Sequence, residues 1–181
     1  MRKEIKNMAF LPLPVLIIGT YDENGKPNAM NAAWGGIYDY NEVIISLSRH
    51  KTTENLEKTK AFTVAFATKA TETMADYFGI VSGAEQDKIS KAGAKISKAK
   101  YVNAPLLEDF PINLECEVVS FRNGSLIGKV VSTNVDENYI KSDGTIDVDK
   151  MQIISFDMLS NSYRVLGEKV GKAFSDGFKL K

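Results

Sequence analysis

A chain of 181 residues, 44% hydrophobic and 25% charged, has the composition of a folded globular protein, and its length favours one domain spanning residues 1–181. Lys plus Arg equals Asp plus Glu at 23 each, so no net field draws the chain to nucleic acid or to an anionic membrane surface. A single cysteine, Cys116, excludes an internal disulfide and suits a reducing cytoplasm; with only His50 beside it, no multi-ligand zinc site of the Cys/His type can be assembled.

The N-terminal stretch "MRKEIKNMAFLPLPVLIIG" is apolar only briefly and is broken by Pro12 and Pro14, so it reads as neither a signal peptide nor a membrane span. "PVLIIGTY" is a β-branched run, and after Asp22-Glu23-Asn24-Gly25 the segment "KPNAMNAAW" is extended again. An Asn-Gly pair between two such runs predicts a hairpin with a primed turn, because Asn and Gly both tolerate positive φ. "EVIISLS" is a strand too short to be a helix. "RHKTTENLEKTK" follows as a helix with Thr52 or Thr53 at its N-cap, and "AFTVAFAT" returns as a strand.

Two short helices are expected over "TETMADYFG" and "AEQDKISKAG", each ended by a glycine free to take the left-handed C-cap conformation. A loop with Pro105 and Pro111 leads to "INLECEVVSF", which alternates: Leu114, Cys116 and Val118 on one side, Asn113, Glu115 and Glu117 on the other. Position on that apolar side makes Cys116 a buried structural thiol. "RNGSLIGKVVSTNV" contains a second Asn-Gly turn and a returning strand, "MQIISFD" adds one more, and a short helix is expected after Gly167. Strands outnumber helices and hairpins join them, which suits a closed antiparallel barrel of mainly β (α+β) class with helices inserted between its halves.

Two places carry chemistry. The start of the helix at Thr52 and Thr53 exposes backbone N–H groups beside Arg49 and Lys51, an arrangement suited to a phosphate; the bland alternative is a helix merely capped by Thr52 or Thr53, with the two basic residues solvated. In "NAMNAAWGG", Ala29, Ala32 and Ala33 either fill tight places in a barrel beside a core or interface Trp34, or let a planar ligand approach the backbone while Asn28 and Asn31 bond its polar edge. Together these places suit a molecule such as FMN. No nucleophile elbow accompanies His50, and neither a phosphate-binding P-loop nor a Gly-x-Gly-x-x-Gly turn after a strand is present.

The ordered segments "PVLIIGTYDENGKPNAMNAAWGGI", "IISLSRHKTTENLEKTKAFTVAF", "ADYFGIVSGAEQDK", "NLECEVV" and "RVLGEKVGKAF" resemble the flavin reductase-like family of FMN-binding split barrels, its flavoredoxin-type members in particular, from about Pro12 to Asp176. The resemblance implies a six-stranded antiparallel split β-barrel that dimerises with noncovalent FMN at the subunit interface. It also implies electrons arriving from NAD(P)H or a redox protein and leaving to free flavin or another acceptor. Carried onto this chain, Asn28, Met30, Asn31, Ala32, Ala33 and Trp34 line the ring and ribityl parts, and Ser46, Leu47 and Ser48 add backbone contacts. Lys51, Thr52 and Thr53 fall at the phosphate, with the Thr53 hydroxyl as a donor; Lys88 matches a basic residue of the family site, and Tyr163 an aromatic near the ring. Asn123 and Gly124 stand where similar proteins often carry His, which bears on donor or partner choice. No residue needs to be a nucleophile or base, since the flavin would carry the chemistry. A non-catalytic FMN-binding or storage protein, and a barrel module without cofactor, are the competing readings.

Overall fold

The computed structural model describes residues 1–181. Its main sheet has seven antiparallel strands: β2 (Leu16–Tyr21), β3 (Pro27–Ala32), β4 (Gly35–Asp39), β5 (Glu42–Ser46), β6 (Ala61–Phe66), β9 (Ile112–Arg122) and β10 (Ser125–Val135), in the order β3-β2-β6-β9-β10-β5-β4. A three-stranded sheet joins β1 (Leu13–Pro14) to the hairpin of β11 (Ile154–Asp157) and β12 (Ser162–Val165), and β7 (Ile96–Lys98) pairs with β8 (Pro105–Leu107). The mainly β class with inserted helices is as expected; the main sheet has seven strands rather than six. The additional strand comes from the Gly35–Gly36 end of the small-residue stretch, which the sequence reading had merged with β3.

That stretch closes the barrel. β3 and β4 are opposite edges of the sheet in hydrogen-bonding order, yet only Ala33 and Trp34 separate them in sequence. Ala32 and Gly35 are three virtual bonds apart, at most about 11 Å. The sheet must therefore curl until its two edges nearly meet. They are not hydrogen-bonded to each other, which leaves the barrel split along this seam.

Leu16, Ile18, Met30, Ile45, Phe62, Val64, Cys116 and Leu126 fill the barrel interior. The opposite face of β2 and β3, carrying Ile17 and Ala29, is covered by Ala75 and Phe78 of α2 (Glu72–Ile80) and Ile89 of α3 (Lys88–Ala92). With both faces covered, β2 reads as a continuous apolar run rather than an alternating one. α1 (Lys51–Thr59) inserts Leu56 into the barrel core and ties down with Asn55, whose Nδ2 donates to Thr20 Oγ1 at 3.0 Å. A short α4 (Val148–Met151) precedes β11.

The two Asn-Gly turns differ. Between β9 and β10, Asn123 (φ 52°) and Gly124 (φ 79°) form the expected two-residue turn with both φ positive. Between β2 and β3 the connection is five residues long and only Gly25 (φ 77°) has positive φ. Asp22 Oδ1 accepts from the amides of Asn24 and Lys26 at 2.9 and 2.8 Å, which satisfies a longer loop and relieves Asn24 of that role.

Helix ends also needed correction. α3 ends on left-handed Gly93 (φ 65°) as expected, but Gly79 lies inside α2, which ends at Ile80 with extended Val81. No helix follows Gly167 directly; a single 3-10 turn spans Asp176–Leu180. On β9, Asn113 and Glu115 are buried, not exposed. The Asn113 side chain bonds the backbone of Leu107 and Phe110, and the Glu115 carboxylate accepts from Tyr101 N at 2.6 Å and Asn134 Nδ2 at 2.9 Å. Their pattern looked solvent-facing because a polar residue satisfied by a distant loop has the same sequence signature as an exposed one. No helix is long and apolar enough to cross a membrane.

Candidate functional site

A polar cleft lies where the start of α1, strand β3, the end of α2 and the start of α3 converge; its walls include Asn28, Lys51, Thr52, Gly79, Gly83 and Lys88. The helix start is set by local backbone chemistry. His50, extended at φ −146° and ψ 170°, is the N-cap, and its carbonyl accepts from the amides of Thr53 and Glu54 at 3.0 and 3.2 Å. The Lys51 and Thr52 amides ahead of them have no helical carbonyl to reach, so they remain as donors beside the positive end of the helix dipole.

The two threonines separate here. Thr53 Oγ1 donates to His50 O at 2.8 Å and accepts from His50 N at 3.0 Å, so its only proton is committed to the helix cap. Neither threonine is the N-cap, contrary to the sequence expectation. Thr52 is 1% exposed and its Oγ1 accepts from Asn28 Nδ2 at 2.8 Å, which leaves its own O–H free to donate. Thr53→Ala is accordingly expected to lower stability by about 1 kcal/mol through the lost cap. Thermal melts check this, with a loss in Thr53→Ala at least as large as in Thr52→Ala.

Opposite the helix start, Lys88 is 4% exposed and its Nζ donates to the Phe78 carbonyl at 2.9 Å, at the end of α2. No carboxylate pairs with it. Burial lowers its pKa from 10.5 to about 8, the cost of holding a cation out of water. Backbone packing shapes this wall. A Cβ on Gly83 would collide with Asn28 Oδ1, and one on Gly79 would come within 3.3 Å of Asn31 Cβ.

The remaining candidate residues fall into neighbouring regions. Met30 and Asn31 border the same cleft, with Asn31 Nδ2 donating to Ala75 O at 3.0 Å. Ala32 is buried in the barrel, Ala33 is half-buried and Trp34 is 60% exposed, so Trp34 is not a core residue. Trp34 and Ser46 border an apolar recess shared with Met8 and Phe10 of the N-terminal segment. Leu47 and Thr53 border a further recess with Arg49, Asn123 and Gly124, and Ser48 is exposed. The cleft and the recess at Leu47 and Thr53 both border the start of α1. Tyr163 on β12 lies beside Asn31, its ring tilted 52° to that of Phe156 with centroids 5.9 Å apart and its hydroxyl donating to Asp76 at 2.8 Å; burial first, then Asp76, pushes its pKa up to about 12.

Sequence reasoning missed Gly83, the Phe78 carbonyl and the Asn28–Thr52 bond. The only available signal was the small-residue run "VSGAE" before Lys88, which carries no chemistry of its own. Cys116 lies in the barrel, 0% exposed, with burial pushing its thiol up to about 12, so it is an inert packing residue. No three His, Cys, Asp or Glu side chains cluster as metal ligands would.

A curled antiparallel sheet split at one seam, with a polar cleft at a helix start beside that seam, defines the class of split-barrel proteins. The chain belongs to the flavin reductase like domain family, whose model matches residues 8–148. It is 32% identical to the flavoredoxin of Desulfovibrio vulgaris (Miyazaki F), with a TM-score of 0.94 over 98% of this chain and 100% of that one. It is 27% identical to the flavoredoxin of Methanosarcina acetivorans, with a TM-score of 0.89 over 100% of both chains. An uncharacterized protein of Archaeoglobus fulgidus is 31% identical over 126 residues, 66% of this chain and 69% of that protein.

Proposed function

We propose that the protein is an FMN-dependent oxidoreductase or electron carrier of the flavoredoxin type, with the flavin phosphate held in the cleft between α1 and Lys88. The observation that carries this reading is Lys88: a lysine 4% exposed, with no carboxylate partner and facing an open helix start, favours an anionic ligand in the cleft. The Lys51 and Thr52 amides, the Thr52 hydroxyl and the two lysines supply the donors a phosphate dianion needs. Thr53 serves by holding the helix start in shape.

Beyond that anchor Asn31, Ala32, Ala33 and Trp34 and the backbone of Ser46, Leu47 and Ser48 would hold the rest of the flavin. Small side chains there let the ring lie near the chain, and backbone groups bond its polar edge. Tyr163 belongs to the wall behind Asn31 rather than to the ring itself. FMN supplies hydride or electron transfer. The chain positions it and leaves one face open to NAD(P)H or a redox protein as donor, and to free flavin or another acceptor.

The exposed Trp34, Ile37, Tyr38 and Tyr40, next to an apolar hollow lined by Leu16, Ile45 and Phe66, support a homodimer formed over the seam. A second copy would cover this surface and enclose the ring end of each site. A cytoplasmic location suits the lone buried thiol.

The test is the absorbance spectrum of protein incubated with FMN, desalted, and followed without oxygen after addition of NADH or NADPH. Retained flavin bands that bleach establish a reductase and identify its donor. Retained bands that do not bleach with either nucleotide point to a carrier reduced by another protein, and loss of the bands on desalting removes the cofactor from the reading.

A further inference from the structure

Carboxylates lie beyond the end of the cleft bordered by Lys51 and Lys88. Asn28, Lys51, Gly83 and Lys88 border the cleft and also a small adjoining polar hollow, whose far side is formed by Asp22, Lys26 and Asp87. The backbone fixes both carboxylates. Asp22 Oδ1 accepts from the amides of Asn24 and Lys26, and Asp87 Oδ1 accepts at 3.1 Å from the amide of Ser90 at the start of α3. These backbone bonds, Lys26 N for Asp22 and Ser90 N for Asp87, hold both carboxyls below the ordinary carboxylate range, so both are charged at neutral pH.

We infer that Asp22 and Asp87 make the site selective for a flavin ending in a phosphate monoester, so that FMN is admitted and a flavin extended into a diphosphate, as in FAD, is rejected. The inference rests on the proposed placement of the flavin phosphate beside Lys88. A terminal phosphate uses Lys51, Lys88 and the open amides of α1. A second phosphoryl group would continue into the hollow and meet two fixed anions. Three donors on that side are already engaged: the Lys26 amide by Asp22, the Ser90 amide by Asp87, and Lys26 Nζ by Asp87 Oδ2 at 3.6 Å. Gly83, packed onto Asn28, narrows the same exit. Selectivity here comes from repulsion of the longer ligand rather than from added attraction to the shorter one.

Calorimetric titration with FMN, FAD and riboflavin tests this. The unaltered protein is expected to bind FAD and riboflavin each at least roughly 30-fold more weakly than FMN, one from repulsion and the other from the missing phosphate. In Asp22→Asn/Asp87→Asn the amide oxygens still accept the turn and cap bonds while the charges are gone. FAD should gain more than FMN, and the ratio of their dissociation constants should narrow about tenfold. Lys26→Met, which removes the offsetting cation, should widen it. FAD binding equal to FMN in the unaltered protein, or a ratio that neither variant moves, would overturn the inference. Failure of all three flavins to bind would overturn the flavin placement together with it.

Discussion

Replacing Lys88 with methionine is expected to stabilise the flavin-free protein while weakening FMN binding roughly 10- to 150-fold. The two effects share one cause. Lys88 is 4% exposed, donates only to the Phe78 carbonyl, and has its pKa lowered from 10.5 to about 8 by burial. A displacement of that size corresponds to about 3 kcal/mol of strain on the charged form, reduced by the lost hydrogen bond to a net gain of about 1–3 kcal/mol for the apolar replacement. Methionine keeps the length of the side chain and removes the charge. The anion loses a charge-assisted contact of about 1.5–3 kcal/mol.

The same burial cost carries a pH dependence. Below pH 8 Lys88 is charged in both folded and unfolded chains, and the burial cost is present in full. Between about 8 and 10.5 the unfolded chain binds the proton more strongly than the folded one, so this residue's contribution to stability rises with pH. The melting-temperature advantage of Lys88→Met should therefore shrink across that window. FMN affinity runs the other way, weakening in the unaltered protein as pH passes 8 and staying flat in the variant. Melting curves of the flavin-free proteins and FMN titrations from pH 6.5 to about 10 measure both. A native affinity that is level through pH 8–10 would detach Lys88 from the phosphate.

Phe62→Ala is expected to cost about 3–5 kcal/mol in urea unfolding, the largest loss from any single truncation in the barrel. Phe62 is 0% exposed at the centre of the barrel cluster, and its ring lies against Gly128 so closely that a Cβ there would strike it. Gly128→Ala alone should therefore destabilise by about 1–3 kcal/mol through overpacking. In the Phe62→Ala background the same methyl enters the vacated space, and its effect should change sign. The double-mutant cycle is then strongly non-additive. Additive losses would mean that the ring and Gly128 do not share the space the barrel interior assigns them.

The parts of the site legible in the sequence were those that depend on near neighbours. "RHKTTEN" announced a helix start with donors, and the alanines after Asn28 announced a strand with room beside it. Which threonine is free was not legible. Thr53 was read as a phosphate donor because its hydroxyl is close to the helix start; the same closeness commits it to His50. Thr52 is oriented instead by Asn28, 24 residues away. Lys88 had the local pattern of a solvated helix lysine, singled out in the sequence only by the family resemblance; its burial against α2 came from the tertiary structure.

The two-residue turn at Asn123–Gly124, the left-handed end of α3 at Gly93 and the extended small-residue segment after Asn28 were determined by the sequence alone, because φ tolerance and side-chain periodicity act within a few residues. The tertiary structure alone decided that the two sheet edges meet at Ala33–Trp34, that Glu115 is buried against Tyr101 and Asn134, and that Lys88 faces the start of α1 across a cleft. Each of these depends on which distant segments share a space. Desolvation, which gives a lysine or a carboxylate its special energy, is set by that shared space and leaves no trace in local pattern.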